Sequence, residues 1–132
     1  MTSDNFLIDA YQSIMPDPTG FREITMQALP TCFWVNTLKT NPSTITNSLA
    51  QDNLTVEPLA WTDNAFRWNN ECALGRRLEY MIGLIQIQEE VSMLPVKLLD
   101  PKPGEAVLDL CAAPGGKTAQ ISVAMQNTGS VI

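Results

Sequence analysis

Apolar residues open the chain at helical spacing: Phe6, Leu7, Ala10, Tyr11 and Ile14 predict a helix over about Ser3 to Met15. The cluster Pro16-Asp17-Pro18-Thr19-Gly20 breaks that pattern. A second short helix, about Phe21 to Ala28, stops before Pro30. CFWVNTL, Cys32 to Leu38, is rich in β-formers and reads as a strand. Pro42-Ser43 begins another helix, with Ile45 and Leu49 on one face. LTVEPLAW (Leu54 to Trp61) and AFRW (Ala65 to Trp68) flank Thr62-Asp63-Asn64, which predicts a hairpin. Residues 1–77 therefore read as a small mixed α/β domain.

From Leu78 the pattern changes, and 78–132 reads as the start of a second unit. GLIQIQ (Gly83 to Gln88) alternates as a short strand. EEVSMLPVKLL places Val91, Leu94, Leu98 and Leu99 on one helical face. Pro95 fits that helix if Ser92 is its N-cap, because first-turn amides have no intrahelical partner. After the turn DPKPGE, the run AVLDL suits a strand buried on both faces of a parallel sheet. Ile121, Ala124 and Met125 continue at helical spacing, Thr128-Gly129 ends that helix, and Val131-Ile132 begin a further strand. Strand, loop and helix in that order form the first half of a βαβ unit.

The 132 residues, 45% apolar and 17% charged, fit one globular domain or one small domain with the beginning of a second. No apolar run is long enough to span a bilayer, and the N-terminus has no basic, then apolar, secretory pattern. The expected location is cytoplasmic, without membrane contact. Cys32, Cys72 and Cys111 show no CxxC spacing and the chain has no histidine. No metal site is therefore expected, and the usual general base near neutral pH is missing. The net charge of −6 argues against this chain gripping a phosphate backbone unaided. Arg76-Arg77 read as solvated surface. Phe33, Trp34, Trp61, Phe66 and Trp68 could stack bases, but each lies in a strand pattern and core packing is the expected use.

VLDLCAAPGGKTAQIS, Val107 to Ser122, carries the candidate chemistry. In a βαβ unit ligands sit beyond the strand's carboxyl end, where the helix N-terminus presents unpaired N–H groups. Ala112, Ala113, Gly115 and Gly116 let a ligand approach the backbone, and Pro114 stiffens the turn. Gly116-Lys117-Thr118 matches the end of a phosphate loop, but G-x-x-x-x-G-K-[ST] requires glycine where this chain has Cys111. The dinucleotide pattern G-x-G-x-x-G is absent. S-adenosyl-L-methionine, which has no phosphate, suits a small, stiff loop ending in Lys117.

QEEVSMLPVKLL followed by PGEAVLDLCAAPGGKT resembles the Sun-type (RsmF-like) RNA cytosine-5 methyltransferases, and VNTLK, EPLAWTDNAF and the Gly83–Gln88 strand are similar in the same order. The resemblance implies the N-terminal portion of such an enzyme: a small RNA-contacting domain, then the truncated start of a Rossmann-like methyltransferase domain. It implies that Cys111, Ala112, Ala113, Pro114, Gly115, Gly116 and Lys117 bind S-adenosyl-L-methionine, and that the parent's partner is RNA, ribosomal or transfer, with ribosomal expected. The family's two functional cysteines, in Pro-Cys and Thr-Cys motifs, lie downstream of this loop. Thr31-Cys32 precedes it, so Cys32 is expected to be structural. Trp34 stands where the family usually carries arginine, so no RNA contact is carried over there.

Cytosine C5 takes a methyl group only after a thiolate adds at C6. A chain that holds the donor but not that thiolate is expected to be inactive alone, with no catalytic residue of its own. The rival expectations are a non-catalytic RNA- or protein-binding module that keeps the loop as scaffold, and a phosphate-loop nucleotidase.

Overall fold

The computed structural model describes residues 10–132, apart from the side chain of Gln12. Most of the helix expected over Ser3 to Met15 lies outside the described residues; its end is a 3₁₀ turn, Gln12–Ile14. Helix α1, Pro18–Thr25, begins inside the cluster expected to break the chain. Asp17 accepts the Gly20 N–H at 2.9 Å and Pro18 takes the first helical position, where its missing donor costs nothing. The expected start at Phe21 is therefore three residues late.

Strands β1 (Cys32–Val35), β2 (Val56–Pro58), β3 (Ala65–Trp68) and β4 (Ile85–Ile87) form one antiparallel sheet in the order β2-β3-β1-β4. The expected hairpin is β2–β3, with Glu57 opposite Arg67, and Phe33 of β1 pairs with Phe66 on one side and Ile87 on the other. The sheet thus contains residues from both sides of the division expected at 77/78.

All four residues of β1 are buried because both faces of the sheet are covered. On one face Phe33 and Val35 pack with Ile45 and Leu49 of helix α2 (Pro42–Gln51), together with Phe66, Trp68, Leu74 and Ile85. Helix α2 is rich in Ser, Thr and Asn, which are poor helix formers. The Asn41 side chain accepts the Thr44 N–H at 2.8 Å, and each fully buried Ile or Leu contributes roughly 1.5–3 kcal/mol. Tertiary burial, more than propensity, holds this helix. Of the five aromatics considered, four are core residues and Trp61 is half-buried beside it.

The short helix α3, Leu78–Met81, leads into β4. Helix α4, Glu90–Leu99, follows, with Glu89 as N-cap in place of the expected Ser92, and Pro95 lies within it. The buried face of α4 is Met93 and Val96, not the Val91, Leu94, Leu98, Leu99 face expected from spacing. Met93 packs with Cys32, Trp34, Leu59, Ala65 and Val123 on the second face of the sheet.

Strand β5 is only Ala106–Val107 and runs parallel to β6, Ser130–Val131, with helix α5 (Gly116–Ala124) between them. This is the expected βαβ order. The strand is not buried on both faces, because among the described residues its sheet has two strands, and Leu108 and Leu110 are exposed. Helix α5 ends before Thr128-Gly129, since Gln126 and Asn127 already adopt left-handed φ values of 53° and 54°. Its Ile121 packs with Val96 and Met125, against Val107 and Val131. The mixed α/β class is as expected.

Candidate functional site

The segment between β5 and α5 is shaped by one carboxylate. The Asp109 N–H donates to Ile132 O at 2.8 Å, so the chain leaves the strand still tied to β6. The Asp109 side chain then accepts the Cys111 N–H at 3.1 Å and the Thr118 hydroxyl at 2.7 Å. The first bond is an Asx turn and the second reaches the first turn of α5. A single side chain therefore joins the two ends of the loop. Gly115, at φ 106°, caps α5 in the left-handed region and accepts the Ala119 N–H through its carbonyl at 2.9 Å. A Cβ there would meet nothing within 4 Å, so the backbone lies open.

Cys111, Ala112, Ala113, Pro114 and Lys117 are exposed, and Gly115 and Gly116 are half-buried. All seven line one open cleft of about 630 Å³, whose remaining wall is Tyr80, Gln86, Ile87, Gln88, Ser92 and Ala119. That volume lies within the roughly 300–1,000 Å³ of small-molecule sites. Two of the loop's positions offer a ligand no amide: Pro114 has no N–H, and the Cys111 N–H is committed to Asp109. The open backbone at Gly115 admits a ligand that approaches closely.

Asp109 was missed in reading the sequence, although its placement two residues before Cys111 is an Asx-turn signal. Gln88 gave no signal, because its position depends on β4 joining the first sheet.

The three thiols have different surroundings. Cys32 is buried and Cys72 and Cys111 are exposed. Burial pushes the Cys32 thiol up, the nearby Glu90 charge adds to that, and its Sγ points to Pro30 O at 3.7 Å. It is a neutral core thiol, in keeping with the structural role expected. Arg77 is not plain solvated surface: it binds Glu79 at 2.9 Å and Asp52 at 2.7 Å. Among the described residues no group of three or more His, Cys, Asp or Glu could hold a metal ion, and no helix is long and apolar enough to cross a membrane.

A family model described as 16S rRNA methyltransferase RsmB/F matches residues 96–132. The chain is 37% identical over 128 residues to a tRNA (cytosine(49)-C(5))-methyltransferase of Pyrococcus abyssi, covering 96% of this chain and 40% of that protein. It is 36% identical over 138 residues to the ribosomal RNA small subunit methyltransferase F of Vibrio parahaemolyticus, covering 98% of this chain and 28% of that one. Its structure is similar to that of a methyltransferase homolog protein from Pyrococcus horikoshii, with TM-score 0.79 and 29% identity, over 99% of this chain and 47% of that one. The chain thus spans less than half the length of each.

Proposed function

We propose that this chain, which belongs to the RsmB/F-related family of RNA cytosine-C5 methyltransferases, is the donor-side portion of an S-adenosylmethionine-dependent enzyme acting in the cytoplasm on RNA, ribosomal RNA in the first instance. The observation that carries the reading is the bare loop Cys111–Lys117 lining a cleft at the mouth of α5.

S-adenosylmethionine supplies an electrophilic methyl group on a sulfonium. The chain's own residues bind and orient it. The amides of Ala112, Ala113, Gly115 and Gly116 have no acceptor within the described residues, and they supply neutral donors at the cleft. Asp109 holds the loop closed between Cys111 and Thr118, so those donors are fixed before the donor arrives. What these residues do not supply is the thiolate that must add to cytosine C6. The sequence has no cysteine after Cys111, Cys32 is a buried neutral thiol, and neither Pro-Cys nor a downstream Thr-Cys occurs. On this reading the residues described hold and orient the methyl donor, and the cysteine thiolate in its Pro-Cys or Thr-Cys setting is not among them.

Peptide-resolved hydrogen exchange on the chain tests this. S-adenosylmethionine at millimolar concentration slows exchange across 111–119, while ATP with magnesium leaves it unchanged, and no methyl group appears in RNA. Protection by ATP with magnesium and none by S-adenosylmethionine overturns the assignment. Protection by RNA alone moves it to the non-catalytic module.

A further inference from the structure

Trp34 is 2% exposed, so its indole is not a surface for RNA; it works inward. Its Nε1–H donates to Gln88 Oε1 at 2.9 Å. Gln88 Nε2 in turn donates to Ser92 O at 2.8 Å, and more weakly to Gln120 Oε1 at 3.5 Å. Gln120 Nε2 donates to Met93 O at 3.3 Å. An indole can only donate and a carbonyl can only accept. A flipped Gln88 amide would set N–H against N–H and oxygen against oxygen, so Trp34 and Ser92 together fix its orientation.

This amide sits where β1, α4 and α5 converge on the cleft. It forms part of the cleft wall, and a Cβ at Gly116 would lie 3.4 Å from its Oε1. Gly116, the first residue of α5, therefore rests against Gln88. We propose that Gln88 is a positioning residue for the donor loop: oriented by Trp34, it sets the distance between the first sheet and the start of α5, and hence the width of the donor cleft. Residue 34, far from the loop in sequence, controls the donor site through this one side chain. The proposal rests on the donor-site reading above.

The test compares Trp34→Phe and Gln88→Leu with Trp61→Phe in the full chain by hydrogen exchange, with and without S-adenosylmethionine. Trp61 is the control, because its indole donates to Glu90 Oε1 at 3.3 Å and not to the loop. Trp34→Phe removes the N–H together with part of a buried ring, whereas Gln88→Leu leaves the indole in place, so a matching response of the two variants isolates the hydrogen bond from the cavity. Each of the first two variants speeds exchange across α5 roughly five- to tenfold, the size of one net hydrogen bond. Each raises by a similar factor the S-adenosylmethionine concentration that half-protects 111–117. The double variant is no worse than Gln88→Leu alone, as expected of one shared path. Trp61→Phe leaves both readings near wild type. Unchanged α5 exchange in Trp34→Phe and Gln88→Leu, or an equal acceleration in Trp61→Phe, overturns the proposal. If wild type shows no response to S-adenosylmethionine, the donor-site reading fails, while α5 exchange still decides the role of Gln88.

Discussion

A side chain at Gly129 would run into the Glu105 carbonyl oxygen and the Met125 methyl group, and Gly129 also holds φ +115°. At Gly115 the φ is +106°, but a Cβ would meet nothing within 4 Å. The two glycines separate strain from collision. Gly115→Ala has only the left-handed backbone to oppose it, so it costs about 1–2 kcal/mol. Gly129→Ala adds displacement of the Glu105 backbone, which accepts the Ser130 N–H at 3.0 Å, and costs about 2–4 kcal/mol. Urea denaturation of both variants checks the order; Gly115→Ala as the more damaging change would contradict this account. At this scale much of the site is legible in the sequence. Small residues and proline between a β-run and a helical run announce a bare loop, since the information is local. Asp109 shows why the legibility is partial: an aspartate in AVLDL reads as a strand residue until its carboxylate is seen spanning Cys111 and Thr118.

Elements are legible where apolar spacing decides them and misread where a cap or a distant partner does. Helix α2 follows its Ile45–Leu49 stripe. Helix α1 starts early because Asp17-Pro18 is a cap and a first helical residue as well as a turn signal. The buried face of α4 is Met93 and Val96 because the sheet lies on that side, which spacing alone cannot say. Alternation predicts β4 but not that it pairs with β1. One link between elements has a pH signature. Arg77, before α3, binds Asp52 at the end of α2 and Glu79 within α3. The hydrogen bond from Arg77 outweighs burial and holds the Glu79 carboxyl below its usual range. A carboxylate depressed in the folded state contributes stability at pH values above its unfolded value, and that contribution is lost as pH falls through the folded one. Thermal melts therefore fall on the acid side of the carboxylate range. Glu79→Gln flattens that fall and lowers the neutral-pH melt. A Glu79→Gln curve parallel to wild type would show that the pair carries no pH dependence.

For the whole molecule, the core is unevenly shared. The four-stranded sheet is covered on both faces, by α2 on one and by α4 and α5 on the other. The β5–β6 unit has a small cluster of its own around Val96, Ile121 and Met125. Val91, Leu98, Leu99, Leu108, Leu110 and Ile132 stand 70%, 75%, 54%, 64%, 84% and 75% exposed. Two strands alone are marginal in water, and local opening free energy follows buried contacts. Amides of β1 and β3 therefore exchange at a rate set by global unfolding, and those of β5 and β6 exchange much faster through partial opening. Large apolar side chains left exposed in this way also favour association. The chain is expected to sediment as a monomer when dilute and as larger species at higher concentration, with exchange in 104–132 slowing as it associates. Uniform protection across both sheets in a monomer at all concentrations would mean that the second unit is held by more than the contacts described. The donor loop would then stand on a rigid base, and its opening could not be read separately from unfolding.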